Sequence, residues 1–409
     1  MTGASRRALV VMGAGASLAF GAPSTWRLTN AIEETMGGEW MTMSGGGRAW
    51  AEIRQRLGAY LEGGPDAVNF EHIYHCAHEL EFAFDPTAGA VNAFRPLLRP
   101  FMERRLDADE RALRALCRQI TDVIFERMAD VSAAGHGPIV GLSAFIAGLR
   151  ATTTTRIYTT NYDDFPLQAA PDLDVGFERR AGTPAVRFDP RAVFDGWERD
   201  CLYHLHGSIH FGFAHPPAGD GDIGELFWFD DAAEAIKYAG FSGSGASRMD
   251  GSQVQRSAVI TGLDKLSRLQ AQPMAAYYAA LARDAMAADV IYVIGSGLGD
   301  LHLNTWLAAA RRGPAKPPVL IVDKFDDGFM EQSMFEIDAK STAMWHSLNM
   351  NIGYRPGNGV DLANGWTLAA DLNSAVWDRG FEEFLADPLA HSQALDRLAE
   401  GPRAGKGLG

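Results

Sequence analysis

Short apolar runs alternate along this chain with glycine turns and polar clusters. Residues 7–12 (Arg-Ala-Leu-Val-Val-Met) lack polar alternation, as a parallel strand covered on both faces does. Gly13-Ala14-Gly15-Ala16-Ser17 then turns the chain. From about 28 to 150 the period becomes helical. Asn69 can cap a helix that carries Phe70, Ile73, Tyr74, Ala77 and Leu80 on one face. A longer helix carries Leu113, Leu116, Ile120, Val123, Ile124 and Phe125, and another is predicted over 138–149. Strand signals return at 155–160, 201–206, 289–294 and 318–322. Between the last two, Gly295-Ser296-Gly297-Leu298-Gly299-Asp300 leads into a helix over about 301–312, which makes a βαβ unit.

The pattern predicts an α/β fold: a Rossmann-like parallel sheet with a large helical insertion or layer. Residues 1–27 and 151–330 should form the core, 28–150 the helical insertion, and 331–400 a C-terminal extension packed on the core. The Gly/Ser stretch 240–252 reads as a mobile loop, and 401–409 as a disordered tail. Arg6-Arg7 before the apolar run Ala8 to Ala22 imitates a secretory or twin-arginine signal. Its strongest apolar stretch is only Ala8 to Met12, so a buried first strand and a glycine turn explain it better.

Composition narrows the partners. The chain has 409 residues, 47% of them hydrophobic, which suits a globular protein with a large core. A net charge of −14 opposes direct binding to nucleic acid or anionic lipid, although Arg99, Arg104 and Arg105 could form a local basic patch. No apolar stretch reaches the ~18 residues needed to span a bilayer. The three cysteines, Cys76, Cys117 and Cys201, are far apart; they exclude a four-cysteine zinc ribbon and suit a reducing cytoplasm.

Candidate chemistry sits at strand ends. The Gly13-x-Gly15 turn can bring backbone N–H groups near a diphosphate, with Ser17 as a further donor. The full G-x-G-x-x-G fingerprint fails at Leu18, and a tight turn without a ligand is the simpler alternative. Gly295, Ser296 and Gly297 repeat the arrangement, with Asp300 and Asp323 placed to accept ribose hydroxyls, or else to cap a helix and end a strand. In Thr159-Thr160-Asn161-Tyr162-Asp163, Asn161 can hold a carboxamide, a ribose hydroxyl or a water, and Asp163 can orient it or place a negative charge beside a cationic ring; an Asx turn is the plainer reading. His206, before Gly207, is the candidate general base. His204, His206 and His210 lack the Asp-x-His a metallo-hydrolase would add, and His72, His75, Cys76 and His78 read better as a polar helix surface, so no metal is expected.

In order, these pieces resemble the sirtuin superfamily. Gly13 to Ser17 with Gly21-Ala22-Pro23 is similar to its first cofactor motif, Thr160-Asn161-Tyr162-Asp163 to its Gln-Asn-x-Asp motif, His206-Gly207 to its catalytic His-Gly, and Gly295-Ser296-Gly297 to its later ribose-binding turn. Departures are Thr160 in place of Gln, Trp26 where an Arg is usual (Arg27 follows one place late), and the missing zinc cysteines. The Thr-x-Asn-Tyr-Asp form, the helical insertion and the Asn69-Phe70-Glu71 helix start are closer to the sirtuin-like, NAD-hydrolysing proteins of bacterial antiviral defence. The length is similar to subunits that assemble with a HerA-type ATPase.

The resemblance implies NAD as substrate, without a metal, and cleavage of its nicotinamide–ribose bond to nicotinamide and ADP-ribose. Asn161 and His206 would be catalytic. Gly13, Ala14, Gly15, Ser17, Pro23, Thr160, Asp163, Gly295, Ser296, Gly297, Asp300 and Asp323 would hold the dinucleotide. A cytoplasmic homo-oligomer with an off state is expected, gated by the helical insertion or the 240–252 loop, with a HerA-type ATPase as partner. The alternatives are a non-catalytic NAD or ADP-ribose sensor, a zinc-free NAD-dependent protein deacylase, and a nuclease-like effector that works with an ATPase.

Overall fold

A computed structural model describes residues 6–84, 107–135, 137–178, 185–213, 225–240, 257–263, 265, 269–325, 339–350, 360–362, 365–369, 373–387, 395 and 398. The expected 240–252 loop beyond its first residue, the 401–409 tail and the Arg99–Arg104–Arg105 patch lie outside them.

The strands in chain order are β1 (Arg6–Met12), β2 (Thr153–Thr159), β3 (Ala185–Arg187), β4 (Cys201–His204), β5 (Phe211–Gly212) and β6 (Phe227–Phe229). They continue with β7 (Val290–Ile294), β8 (Val319–Val322), β9 (Val360–Leu362), β10 (Trp366–Leu368) and β11 (Ser374–Trp377). Eight of them form one sheet in the order β4-β2-β1-β7-β8-β11-β10-β9. Its members from β4 to β11 run parallel, and β10 and β9 close the edge antiparallel. The fold is thus the expected Rossmann-like α/β sheet.

The apolar run Ala8 to Met12 is the middle of this sheet and is almost wholly buried. From β1 the chain moves to one side through β2 and β4, and later returns to pair β7 and β8 on the other side. The order therefore reverses between β1 and β7, and open α/β sheets bind ligands in the crevice beyond such a point.

The crossover from β1 to β2 is helical, with helices Thr25–Thr35, Glu39–Ser44, Gly46–Gly58, Phe70–Phe84, Glu110–Ala133 and Ile139–Arg150. Asn69 caps as expected: its Oδ1 accepts from the amides of Glu71 (3.0 Å) and His72 (3.2 Å). His72 Nδ1 returns the favour by accepting from the Asn69 amide at 3.2 Å, a reciprocal cap. Leu113, Leu116, Ile120, Val123, Ile124 and Phe125 are all buried, so the face read from the period is the packed one.

Two features escape pattern reading. Arg156 interrupts β2, yet it is buried, and its Nε donates to Asp284 Oδ2 at 2.6 Å. Tyr158 donates to the same oxygen at 2.5 Å. A buried charge needs such pairing; here the pairing also pins helix Met274–Met286 across β2. The second feature is the C-terminal region. It continues the sheet through β11, beyond being packed on it. Buried Arg311 stitches it on by donating to the Leu348 (2.7 Å) and Pro317 (2.6 Å) carbonyls and to Ser374 Oγ (3.0 Å). A small antiparallel sheet, β3-β6-β5, packs beside the main one around Phe177, Phe211 and Trp228. No helix among the described residues is long and apolar enough to cross a membrane.

At the switch point the backbones of the two glycine turns touch. Gly13 N–H donates to the Ile294 carbonyl (2.9 Å) and Gly15 N–H to the Gly295 carbonyl (2.8 Å). Gly295 has φ +58°, and a Cβ there would stand 2.0 Å from the Ala16 nitrogen. Gly295→Ala is therefore expected to lower unfolding free energy by at least ~2 kcal/mol. Gly297→Ala, which meets nothing within 4 Å, should stay within ~0.5 kcal/mol. Urea unfolding of the two variants checks the contrast.

Candidate active site

The ends of β1, β2, β4 and β7 deliver the candidate residues to one crevice. Thr160 N–H donates to the Met12 carbonyl at 3.0 Å, which locks the end of β2 to the end of β1. Asn161 follows. Its Nδ2 donates to the Gly13 carbonyl (2.8 Å) and to Ser17 Oγ (2.6 Å). A backbone carbonyl can only accept, so this contact fixes which end of the amide is nitrogen. Among the described residues Asn161 Oδ1 has no hydrogen-bond partner, so it is the acceptor left for a ligand. Ser17 passes the chain on by donating to Asp163 Oδ2.

Asp163 is buried, and burial pushes its carboxyl up to about 6, against hydrogen bonds from Ser17 and the Phe165 amide that favour the charged form. His204 points its Nδ1 at the Asn161 carbonyl (3.2 Å), and burial lowers it to about 4. The ring is therefore neutral near pH 7 and braces the Asn161 backbone.

His206, two residues past β4, has a different setting. Its Nε2 lies 2.6 Å from Asp300 Oδ2. The Tyr278 hydroxyl is 3.3 Å from the same nitrogen and 3.4 Å from Asp300 Oδ2. Lys265 Nζ faces the other ring nitrogen, Nδ1, at 3.5 Å, and lies 3.8 Å from Glu71 Oε1 in the helical crossover. Burial opposes ionisation of Asp300. Hydrogen bonding from His206, with Lys265 and the helix amides, outweighs it and holds the carboxyl well below its usual range. Burial, then Asp300 beside it, keeps Tyr278 protonated.

The three gaps between β4 and β7 span about 14 Å at ordinary strand spacing. The His206–Asp300 contact bridges that span, while Ser17 and Asn161 stand at the strand ends between.

The other expected residues take up varied places. Gly13 and Gly15 spend their N–H groups on the β7 turn, while Ala14 is exposed. Ser296 and Gly297 lie at the rim; Ser296 Oγ accepts from Leu298 N–H at 3.2 Å. Asp300 caps helix Leu301–Arg312, its Oδ1 accepting from the His302 (3.0 Å) and Leu303 (3.3 Å) amides. Asp323 follows β8, where its Oδ1 accepts from Lys324 N–H (2.8 Å). Pro23 lies in the link before helix Thr25–Thr35, outside the network around Asn161. His210 is occupied by the Phe229 carbonyl (2.7 Å) and Asp164 Oδ2 (3.1 Å). Among the described residues no group of three or more His, Cys, Asp or Glu side chains could hold a metal.

Sequence reasoning missed Lys265 and Tyr278, and it treated Glu71 only as part of a helix start. The contact of Tyr278 with His206 crosses 72 positions, and no spacing rule reaches that far.

Comparison with known proteins fits this geometry. Residues 155–343 match the SIR2-like domain family. That span includes Asn161, Asp163, His206, Tyr278, Gly295 and Asp300, and leaves the Gly13–Ser17 turn outside. The chain thus carries a SIR2-like region whose strand ends build most of the crevice. No curated protein matches the chain. A Sir2 homologue in complex with NAD is 14% identical, covering 78% of this chain and 78% of that one, at a TM-score of 0.34. An ADP-ribose complex of a Sir2 homologue mutant is 13% identical, covering 78% and 82%, at 0.36. Sir2Tm bound to a propionylated peptide is 12% identical, covering 83% and 91%, at 0.31.

The buried Asp163 gives a pH test. Its folded pKa lies above its unfolded one, so the native state holds the proton more tightly and loses stability as pH rises from about 4 through about 6. Asp163→Asn keeps an acceptor for Ser17 and removes that loss. The variant should gain on the native chain across this window, by on the order of 2–3 kcal/mol at pH 8. Urea midpoints at pH 4, 6 and 8 measure it, and a gap that does not grow with pH contradicts the assignment.

Proposed function

We propose that the chain hydrolyses NAD at the bond between nicotinamide and ribose, giving nicotinamide and ADP-ribose. The observation that carries this reading is the pairing of Asn161 with His206 at adjacent strand ends. One presents a fixed amide oxygen, the other a carboxylate-paired imidazole, at the switch point of a SIR2-like region. NAD is the expected substrate because a dinucleotide suits such a crevice.

In the proposed reaction the C1′–N bond breaks and its electron pair passes to the nicotinamide ring, which leaves neutral. Positive charge develops at C1′ and the ring oxygen, as in other glycosyl transfers. Water then bonds to C1′ and gives a proton to His206. Asn161 Oδ1 accepts from the water or from a ribose hydroxyl. Asp163, when ionised, adds negative charge behind Ser17 that favours the cationic transition state. The exposed backbone at Ala14 holds the diphosphate, and Ser296 and Asp323 hold the adenosine side.

Unchecked, such an enzyme would empty its own cell of NAD, so we place it as an antiviral effector with an off state. The contact running from Glu71 through Lys265 to His206 supports gating by the helical crossover. Activity then depends on assembly, with further copies of the chain or with a HerA-type ATPase.

The test is incubation with NAD, alone and with such an ATPase, reading nicotinamide and ADP-ribose. Asn161→Ala and His206→Ala should each lower release by ~10²–10⁴-fold. No release by the native chain in either setting overturns the reading. Release only with an acyl-peptide points to a deacylase, and NAD binding without turnover to a sensor.

A further inference from the structure

Asp300 is held at both oxygens. Oδ1 takes the first amides of helix Leu301–Arg312, so the carboxylate cannot swing without uncapping the helix. Oδ2 is thereby aimed at His206 Nε2, 2.6 Å away, at the short end for an N–H donor on a carboxylate. A carboxylate accepts, so Nε2 carries the proton. The far side of the ring agrees: Lys265 can only donate, so Nδ1 presents its lone pair.

We infer that Asp300 is the positioning residue of His206, fixing the ring as the Nε2–H tautomer and leaving Nδ1 as the atom that takes the proton from the attacking water. The catalytic half of this statement rests on the proposed hydrolysis; the tautomer half does not. As water bonds to C1′, its proton moves to Nδ1 while Nε2–H stays on Asp300. The imidazolium so formed lies against the Asp300 carboxylate, which stabilises it. An incoming water replaces the Lys265 ammonium at Nδ1, so displacement of Lys265 precedes proton transfer. Asp300 touches neither water nor ribose in this scheme and acts through the ring. Its two hydrogen-bonding tasks, helix cap and ring partner, are separable by substitution.

The experiment uses the full chain labelled with ¹⁵N-histidine, with the His206 signals assigned by their loss in His206→Gln. The native chain should show Nε2 protonated. With Lys265→Met as the common background, so that no ammonium holds Nδ1 as an acceptor, Asp300→Asn keeps an acceptor for the helix amides and turns an NH₂ toward Nε2, so His206 should move to the Nδ1–H tautomer. Asp300→Ser also caps the helix but does not reach the ring, so the two tautomers should mix. Both variants should keep the native circular dichroism. NAD cleavage should fall by ~10²–10⁴-fold in kcat with little change in KM.

A native ring protonated at Nδ1, or an Nε2–H ring that persists in Asp300→Asn on the Lys265→Met background, overturns the positioning role. A switched tautomer with unchanged kcat overturns Nδ1 as the base. If the tautomers switch as expected but the native chain cleaves no NAD, the hydrolysis reading falls and the Asp300–His206 relation stands.

Discussion

The contact between the two glycine turns governs the rest of the structure. Gly13 and Gly15 lean on Ile294 and Gly295 through backbone hydrogen bonds, at a distance that leaves no room for a Cβ. This approach fixes how the ends of β1 and β7 stand beside each other. Ser17 is set by the first turn, and Asn161 reaches it because its amide is tied to the Gly13 carbonyl. Asp300 is set five residues after Gly295 and meets His206 across the sheet ends. Loosening the turns would misplace both halves of the crevice, since precise positioning depends on rigid support.

Two carboxylates share this crevice; burial opposes ionisation of both, and their neighbours drive them to opposite sides of the usual value. Asp163 has mostly neutral donors around it, and desolvation wins. Asp300 has a histidine, a lysine and helix amides, and they win. One therefore disfavours its charge and the other keeps it at every ordinary pH. Environments that drive like groups apart are a mark of sites with divided chemical roles.

Much of this was legible in the sequence because the strands of a parallel sheet are continuous apolar runs. The runs at 7–12, 289–294 and 318–322 became β1, β7 and β8 nearly to the residue. The Asn69 cap and the apolar face around Leu113 followed from local rules. The strand signal at 155–160 became β2 as well, but the burial of Arg156 within it was not legible, since its compensation by Asp284 lies 128 positions away. β3, β5 and β6 are too short to show a period. For Asp300 the sequence offered a cap or a ribose contact. The structure shows the cap and adds the imidazole, because sheet order decides which strand ends become neighbours. Lys265 and Tyr278 carry no motif, and only the packing of helix Met274–Met286 and the segment before it brings them to the ring.

The sheet order also sets when the crevice can exist during synthesis. Ser17, Asn161, His206 and Asp300 are dispersed over most of the chain, and the first turn waits for a partner that is translated some 280 residues later. A nascent chain can close its helical crossover and pair β1 with β2 early. It cannot complete the ring around His206 until β7 and the start of the following helix have left the ribosome. Translation cut short before Asp300 therefore leaves His206 without its carboxylate and the first glycine turn, when it stops before β7, without its backbone partner.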